Sequence, residues 1–183
     1  MRLVELAHAS ISPRLKKGDI CLDATAGNGH DSLFLAQHVS PGGTVYAVDI
    51  QESALRTTQE RLIRHGLEKV LQSFHGSHRA VSAWLPDSVR GEIAVAMFNL
   101  GYLPGGDHQI TTSARETTAA LEAIYPLIRK GGLISVIGYR GHPGGKEETE
   151  AVERLCKTNG WSTKKRTGSE KTNSPVLYLI EPS

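Results

Sequence analysis

Apolar residues along this chain fall into short blocks with two different spacings. Compact runs rich in β-branched and aliphatic residues, such as Ile20-Cys21-Leu22-Asp23-Ala24-Thr25 and Thr44-Val45-Tyr46-Ala47-Val48-Asp49, predict strands over 20–25 and 44–49. Similar runs predict strands over 70–75, 92–98 and 133–138, with 162–166 and 176–180 closing the sheet as strands six and seven. Between them, apolar positions recur every three or four residues, as in Leu121, Ile124, Tyr125 and Ile128. That spacing predicts helices over 32–39, 51–65, 77–84, 112–128 and 146–159. Pro41-Gly42-Gly43 and Lys130-Gly131-Gly132 supply the breaks before the second and fifth strands. Strands alternating with helices through short connections predict an α/β fold, with a mostly parallel seven-stranded sheet covered on both faces.

Composition narrows the class. A length of 183 residues and 39% hydrophobic content suit a single domain over 1–183 with one buried core. No run of about 18 apolar residues occurs, so no membrane partner is expected. Met1 to Leu15 is amphipathic and lacks the layout of a signal peptide. Cys21 in a strand and Cys156 on a late helix, without metal-type spacing, read as reduced thiols of a cytoplasmic protein that binds no metal. A net charge of +2 is too small to argue for nucleic acid by itself. Basic residues do gather at Lys164-Lys165-Arg166, and Arg140 and Lys146 follow the fifth strand.

Candidate chemistry begins where the first strand ends, at Asp23-Ala24-Thr25-Ala26-Gly27-Asn28-Gly29-His30-Asp31. A strand running into a D-x-x-x-G-x-G turn, with a second strand ending on Asp49, is the layout of a nucleoside-cofactor site. A phosphate-binding G-x-x-x-x-G-K-[ST] string is absent. The dinucleotide fingerprint G-x-G-x-x-G would place its last glycine at Ser32, which weakens that reading. S-adenosylmethionine has no pyrophosphate to hold, so two glycines suffice for it. In that reading Asp23 serves the methionine end, Asp49 holds the ribose hydroxyls, and His75 and Ser77 lie by the adenine edge. Ala26, Gly27, Asn28, Gly29, Gln51 and Asn99 complete the expected cofactor set. Asp31 suits either cofactor contact or the dipole of the helix it opens.

The segment after the fourth strand, Phe98-Asn99-Leu100-Gly101-Tyr102-Leu103-Pro104-Gly105-Gly106-Asp107, should face the transferred group. Asn99 and Tyr102 stand as N-x-x-Y, which resembles the N-P-P-Y tetrapeptide of amino-group methyltransferases. There the Asn oxygen accepts a hydrogen bond from the target amine, and the aromatic ring packs on the substrate base. Leu100-Gly101 departs from Pro-Pro. Asp107 is a further candidate for a cationic substrate group. The run Tyr139-Arg140-Gly141-His142-Pro143-Gly144-Gly145-Lys146 reads as a loop closing over substrate, with His142 a candidate proton acceptor.

The DATAGNGHD turn, the FNLGYLPGGD loop, the GHPGGKEE segment and the terminal SPVLYLIE strand stand in an order that resembles the bacterial rRNA methylase family, of the tRNA wobble-modifying MnmM type. The resemblance covers essentially the whole chain. It implies a Rossmann-like class I methyltransferase fold and S-adenosylmethionine-dependent N-methylation of 5-aminomethyl-(2-thio)uridine in tRNA. The partner it implies is a tRNA anticodon loop. The rim residues Arg140, Lys146, Lys164, Lys165 and Arg166 would grip it, and a flipped base would stack on Tyr102 or Tyr139. A homodimer would enlarge that basic surface. An rRNA or small-molecule amine methyltransferase and an NAD-dependent oxidoreductase on the same glycine turn stand as alternatives.

Overall fold

The computed structural model describes residues 2–103, 105, 111–169 and 173–182. Seven strands form one sheet in the order β3-β2-β1-β4-β5-β7-β6. They are β1 (Ile20–Asp23), β2 (Thr44–Asp49), β3 (Leu71–His75), β4 (Ile93–Leu100), β5 (Ile128–Gly138), β6 (Ser162–Thr167) and β7 (Val176–Glu181). The first five pair in parallel, and β7 runs antiparallel to both β5 and β6. This is the Rossmann-like class I methyltransferase architecture.

Side chains alternate across the pleat, so each central strand feeds two cores. In β4, Val95 and Met97 face one side, with Ala96, Phe98 and Leu100 on the other. The first face is covered by α1 (Leu3–Ile11), α2 (His30–Val39) and α3 (Glu52–Arg64), through Ile11, Leu35 and Leu62. The second is covered by α4 (Val81–Trp84), α5 (Ala114–Ile124) and α6 (Gly145–Thr158), through Val81, Leu121 and Val152. Burial along β4, broken only at half-buried Asn99, and along β5 from Gly132 to Gly138 matches a sheet covered on both sides.

The observed boundaries differ from expectation in a few informative places. The expected helix over 77–84 is a 3₁₀ turn followed by the short α4. The expected helix over 112–128 ends at Ile124, where Pro126 sits in a 3₁₀ turn. Strand β4 continues two residues beyond Phe98, so Asn99 lies within the ladder, opposite Ile137. The amphipathic N-terminus forms α1, an element beyond the five expected helices, which lies against β5 and β7.

Strand β1 ends on Asp23, whose carboxyl is wholly buried. It accepts the Ser32 hydroxyl at 2.6 Å and the Thr25 amide at 3.3 Å. Burial, with a contribution from the Asp31 charge, pushes its pKa from 3.8 up to about 7. Between those values the unfolded chain has lost a proton that the folded chain keeps. This group's contribution to stability is therefore full below about pH 4, declines as pH rises, and is lost above about pH 7. Asp23→Asn should remove that slope. In urea unfolding of both proteins across this pH range, the variant should gain on the wild type by on the order of a few kcal/mol. A flat difference would place the buried proton elsewhere.

Candidate functional site

A cavity of about 1090 Å³ opens at the carboxyl ends of β1, β2, β4 and β5. One wall is the glycine turn. The Ala24 amide bonds to the Met97 carbonyl at 2.9 Å and the Ala26 amide to the Val48 carbonyl at 2.9 Å, which straps the turn to both neighbouring strands. Gly27 and Gly29 have φ of +52° and +74°. A Cβ at Gly29 would stand 2.7 Å from the Thr58 Cα, so α3 packs directly on the turn. A Cβ at Gly27 would extend towards the cavity-lining Leu103, 3.5 Å away.

Asp49 closes this wall. One of its oxygens accepts the Gly27 amide at 2.9 Å and the other the Gln51 amide at 2.9 Å. Each oxygen retains acceptor capacity beside the cavity, a pair of acceptors that suits the two hydroxyl donors of a vicinal diol. Ala26, Gly27, Asn28, Asp49, Gln51 and Ser77 all line the cavity. The residues therefore fit S-adenosylmethionine: a close-approach glycine, a fixed carboxylate for a ribose, and a pocket beyond β3.

Two expected cofactor contacts sit otherwise. His75 does not line the cavity; its ring lies against the Ile50 carbonyl at 3.0 Å. Asp23 does not line it either, because strand β1 carries its carboxyl inward onto Ser32. Ser32 occupies the position of the third glycine in a dinucleotide fingerprint, and here it supplies the donor that a buried carboxyl requires.

The opposing wall is built on Asn99. Its backbone amide donates to Thr25 Oγ1 at 2.7 Å, and its side-chain Nδ2 donates to Asp31 Oδ2 at 2.6 Å. The other Asp31 oxygen lies 2.6 Å from His8 Nε2. The His8 ring stacks on Phe34 with centroids 3.8 Å apart. Asp31, expected to touch cofactor or favour a helix dipole, thus has both oxygens engaged by neighbouring side chains.

Beyond Asn99, Tyr102 and Tyr139 expose 42% and 39% of their surface at the cavity, among the few large apolar side chains left open. Tyr102 meets the His142 ring edge-on at 6.1 Å. His142 is buried on the same wall, with Nδ1 3.0 Å from the Pro143 carbonyl and Nε2 without a partner among the described residues. A carbonyl only accepts, so Nδ1 carries a proton, and in the neutral ring Nε2 is then the acceptor. Arg140 also lines the cavity. Asp107 lies outside the described residues.

The expected basic rim does not form as one cluster. Strand alternation divides it. Lys165 turns towards α6 and pairs with Glu153 at 2.7 Å, whereas Lys164 pairs with Glu181 at 3.2 Å and shares the α1 side with Arg166. Lys146 is exposed on the first turn of α6, 4.0 Å from Glu150, and does not line the cavity.

Other cavity residues were not anticipated. Arg2, Glu5 and His8 come from the N-terminal segment, and Glu116 comes from α5. Glu116 accepts the Ser77 hydroxyl at 2.5 Å and Arg79 at 3.2 Å, and the Ser77 bond, followed by Arg79, holds its carboxyl below the usual range. Behind it, buried Glu148 accepts Thr117 at 2.6 Å and Thr112 at 2.8 Å. The signal for α1 was the amphipathic spacing of its apolar residues; no local pattern marked which strands it would cover.

Comparisons with known proteins agree with this geometry. The family model described as "Putative rRNA methylase" matches residues 45–181. The chain is 38% identical to a chloroplastic tRNA (mnm(5)s(2)U34)-methyltransferase of Arabidopsis thaliana, over 98% of this chain and 69% of the relative. A structure of the same rRNA-methylase description from Clostridium thermocellum superposes with a TM-score of 0.92 at 32% identity, covering 100% of this chain and 98% of that one. A methyltransferase from Streptococcus mutans in complex with SAH superposes with a TM-score of 0.86 at 31% identity, covering 100% and 99%. These likenesses decide the glycine turn in favour of S-adenosylmethionine over a dinucleotide. No helix among the described residues is long and apolar enough to cross a membrane. The chain belongs to the rRNA methylase family of class I methyltransferases, and its cofactor is S-adenosylmethionine.

Proposed function

We propose that this chain methylates the amine of 5-aminomethyl-(2-thio)uridine at the wobble position of tRNA, giving the 5-methylaminomethyl nucleoside. The observation that carries the reaction type is Asn99, an amide on the cavity wall with its NH₂ already committed to Asp31. Its oxygen is then available to a substrate N–H. The choice of nucleoside is supported by the likeness to the Arabidopsis tRNA (mnm(5)s(2)U34)-methyltransferase along nearly the whole chain. We read residues 1–183 as one methyltransferase domain.

In this reading Asp49 holds the ribose hydroxyls, and Ala26, Gly27, Asn28 and Gln51 line the cofactor's path, with Gly29 shaping the turn behind them. Ser77 and Glu116 stand at the adenine side. When bound, S-adenosylmethionine supplies a methyl group on a positively charged sulfur, open to in-line displacement. The acceptor amine reaches the site as an ammonium, with a lysine-like reference pKa of about 10. Partial desolvation between Tyr102 and Tyr139 favours its neutral form. Asn99 Oδ1 orients the remaining N–H so that the lone pair faces the methyl carbon, and His142, whose ring is on the same wall, is the candidate acceptor for the proton released. Asp107 is retained as a second candidate for the ammonium. The wobble base stacks on Tyr102 or Tyr139, while Arg140 meets the RNA backbone, with Lys146 further out. Lys164, Lys165 and Arg166 are too divided between the two faces of the sheet to act as one grip.

Incubation with S-adenosylmethionine and tRNA carrying 5-aminomethyl-2-thiouridine, followed by nucleoside mass spectrometry, should show that nucleoside gaining one methyl group. Methylation of ribosomal RNA or of a free amine, with none on this tRNA, would overturn the assignment.

The two walls should also separate in mutants. Asn99→Ala should keep its affinity for S-adenosylhomocysteine by titration calorimetry while losing about 100-fold or more in kcat. Asp49→Ala should weaken that affinity by about tenfold or more, the loss expected for a charged hydrogen-bond acceptor. Equal loss of cofactor binding in both variants would contradict the division of roles.

A further inference from the structure

We propose that His8, on α1, is a positioning residue for methyl transfer: through Asp31 it locks the Asn99 amide with its NH₂ inward and its carbonyl oxygen towards the acceptor nitrogen. This deepens the amine-methyltransferase reading above and rests on it.

The chain of contacts allows one arrangement. A carboxylate only accepts hydrogen bonds, so the Asn99 atom 2.6 Å from Asp31 Oδ2 is its NH₂. That assignment removes the usual ambiguity between amide oxygen and nitrogen. The Asn99 oxygen is the other branch of the same planar group and is directed away from Asp31. On the far side, His8 Nε2 stands 2.6 Å from Asp31 Oδ1, so it is the N–H that donates there. The orientation of the imidazole is itself set, because its ring stacks nearly parallel over Phe34, with 2° between the planes. Phe34 is three residues after Asp31 on α2, so the ring support and the carboxylate share one face of that helix. His8, Asp31 and Asn99 all line the cavity.

Each link has a chemical consequence. Without the His8 donor, Asp31 loses one of its two side-chain anchors and is free to turn. Without a fixed Asp31, the Asn99 amide can rotate by half a turn and offer NH₂ to the substrate. An NH₂ group repels an N–H and would compete for the lone pair that must attack. The fixed carbonyl therefore selects an acceptor nitrogen that still bears a hydrogen. A carbon nucleophile or a tertiary amine cannot donate to it.

The test separates the imidazole's hydrogen bond from its packing. His8→Phe keeps a ring to stack on Phe34 but has no donor, whereas His8→Gln keeps an N–H donor without the ring. Three readouts are compared: kcat on tRNA carrying 5-aminomethyl-2-thiouridine, S-adenosylhomocysteine affinity, and the side-chain NH₂ resonance of Asn99, identified by its loss in Asn99→Ala. We expect His8→Phe to lose about tenfold or more in kcat, with cofactor affinity unchanged and the Asn99 resonance moved towards that of a free amide. His8→Gln should restore most of the rate and the wild-type resonance. The proposal is overturned if His8→Phe matches the wild type in rate and resonance, or if His8→Phe is active and His8→Gln is not. If the wild type itself leaves this tRNA unmethylated, the substrate assignment falls, and the Asn99 resonance in the two variants still decides the role of His8.

Discussion

The constraint on which the molecule depends is the reversal of strand order between β1 and β4. The two strands are parallel neighbours, yet the chain leaves β1 for α2 on one face and leaves β4 for α5 on the other. Their carboxyl ends therefore part, and the crevice between them becomes the cavity. One side of that crevice holds Gly27 and Asp49, the other Asn99 and Tyr102. Donor and acceptor sites face each other because the sheet's topology puts them there.

A group of carboxyls makes the crevice rigid. Asp49 ties the end of β2 to the glycine turn through two backbone amides. Asp31 joins α1 and α2 to β4 through His8 and Asn99. Asp23, wholly buried beneath them, is held by Ser32, and burial with the nearby Asp31 charge drives it towards the protonated form. Burying acids this close together costs stability unless each finds donors, and each of these does. The second wall has its own version in Glu148, which anchors Thr112 and Thr117 where α5 begins and whose carboxyl burial pushes up. The cavity is lined by loops, but its fixed points are strand ends and buried acids.

Much of this was legible in the residues. The seven strands, five of the helices and the glycine turn follow from spacing and punctuation. Asp49 and Asn99 stand at strand ends, where ligands of such sheets bind. What remained hidden depended on partners distant in sequence. Helix α1 looks like any amphipathic segment until it is laid on β5 and β7, and only then does His8 reach Asp31. Lys164, Lys165 and Arg166 are contiguous in the chain, and the pleat sends them to opposite faces.

The sequence by itself determined the architecture, the nucleoside site and the candidate amide on β4, because these are written in short periodic patterns and in glycines that permit close backbone approach. The tertiary structure decided which acids face the cavity and which lie beneath it. Asp23 and Asp31 are eight positions apart on one strand–turn–helix unit, yet only Asp31 lines the cavity. It also decided that a histidine from the first helix serves the fourth strand. Side-chain direction at a site depends on what packs behind it, and that is a property of the folded whole.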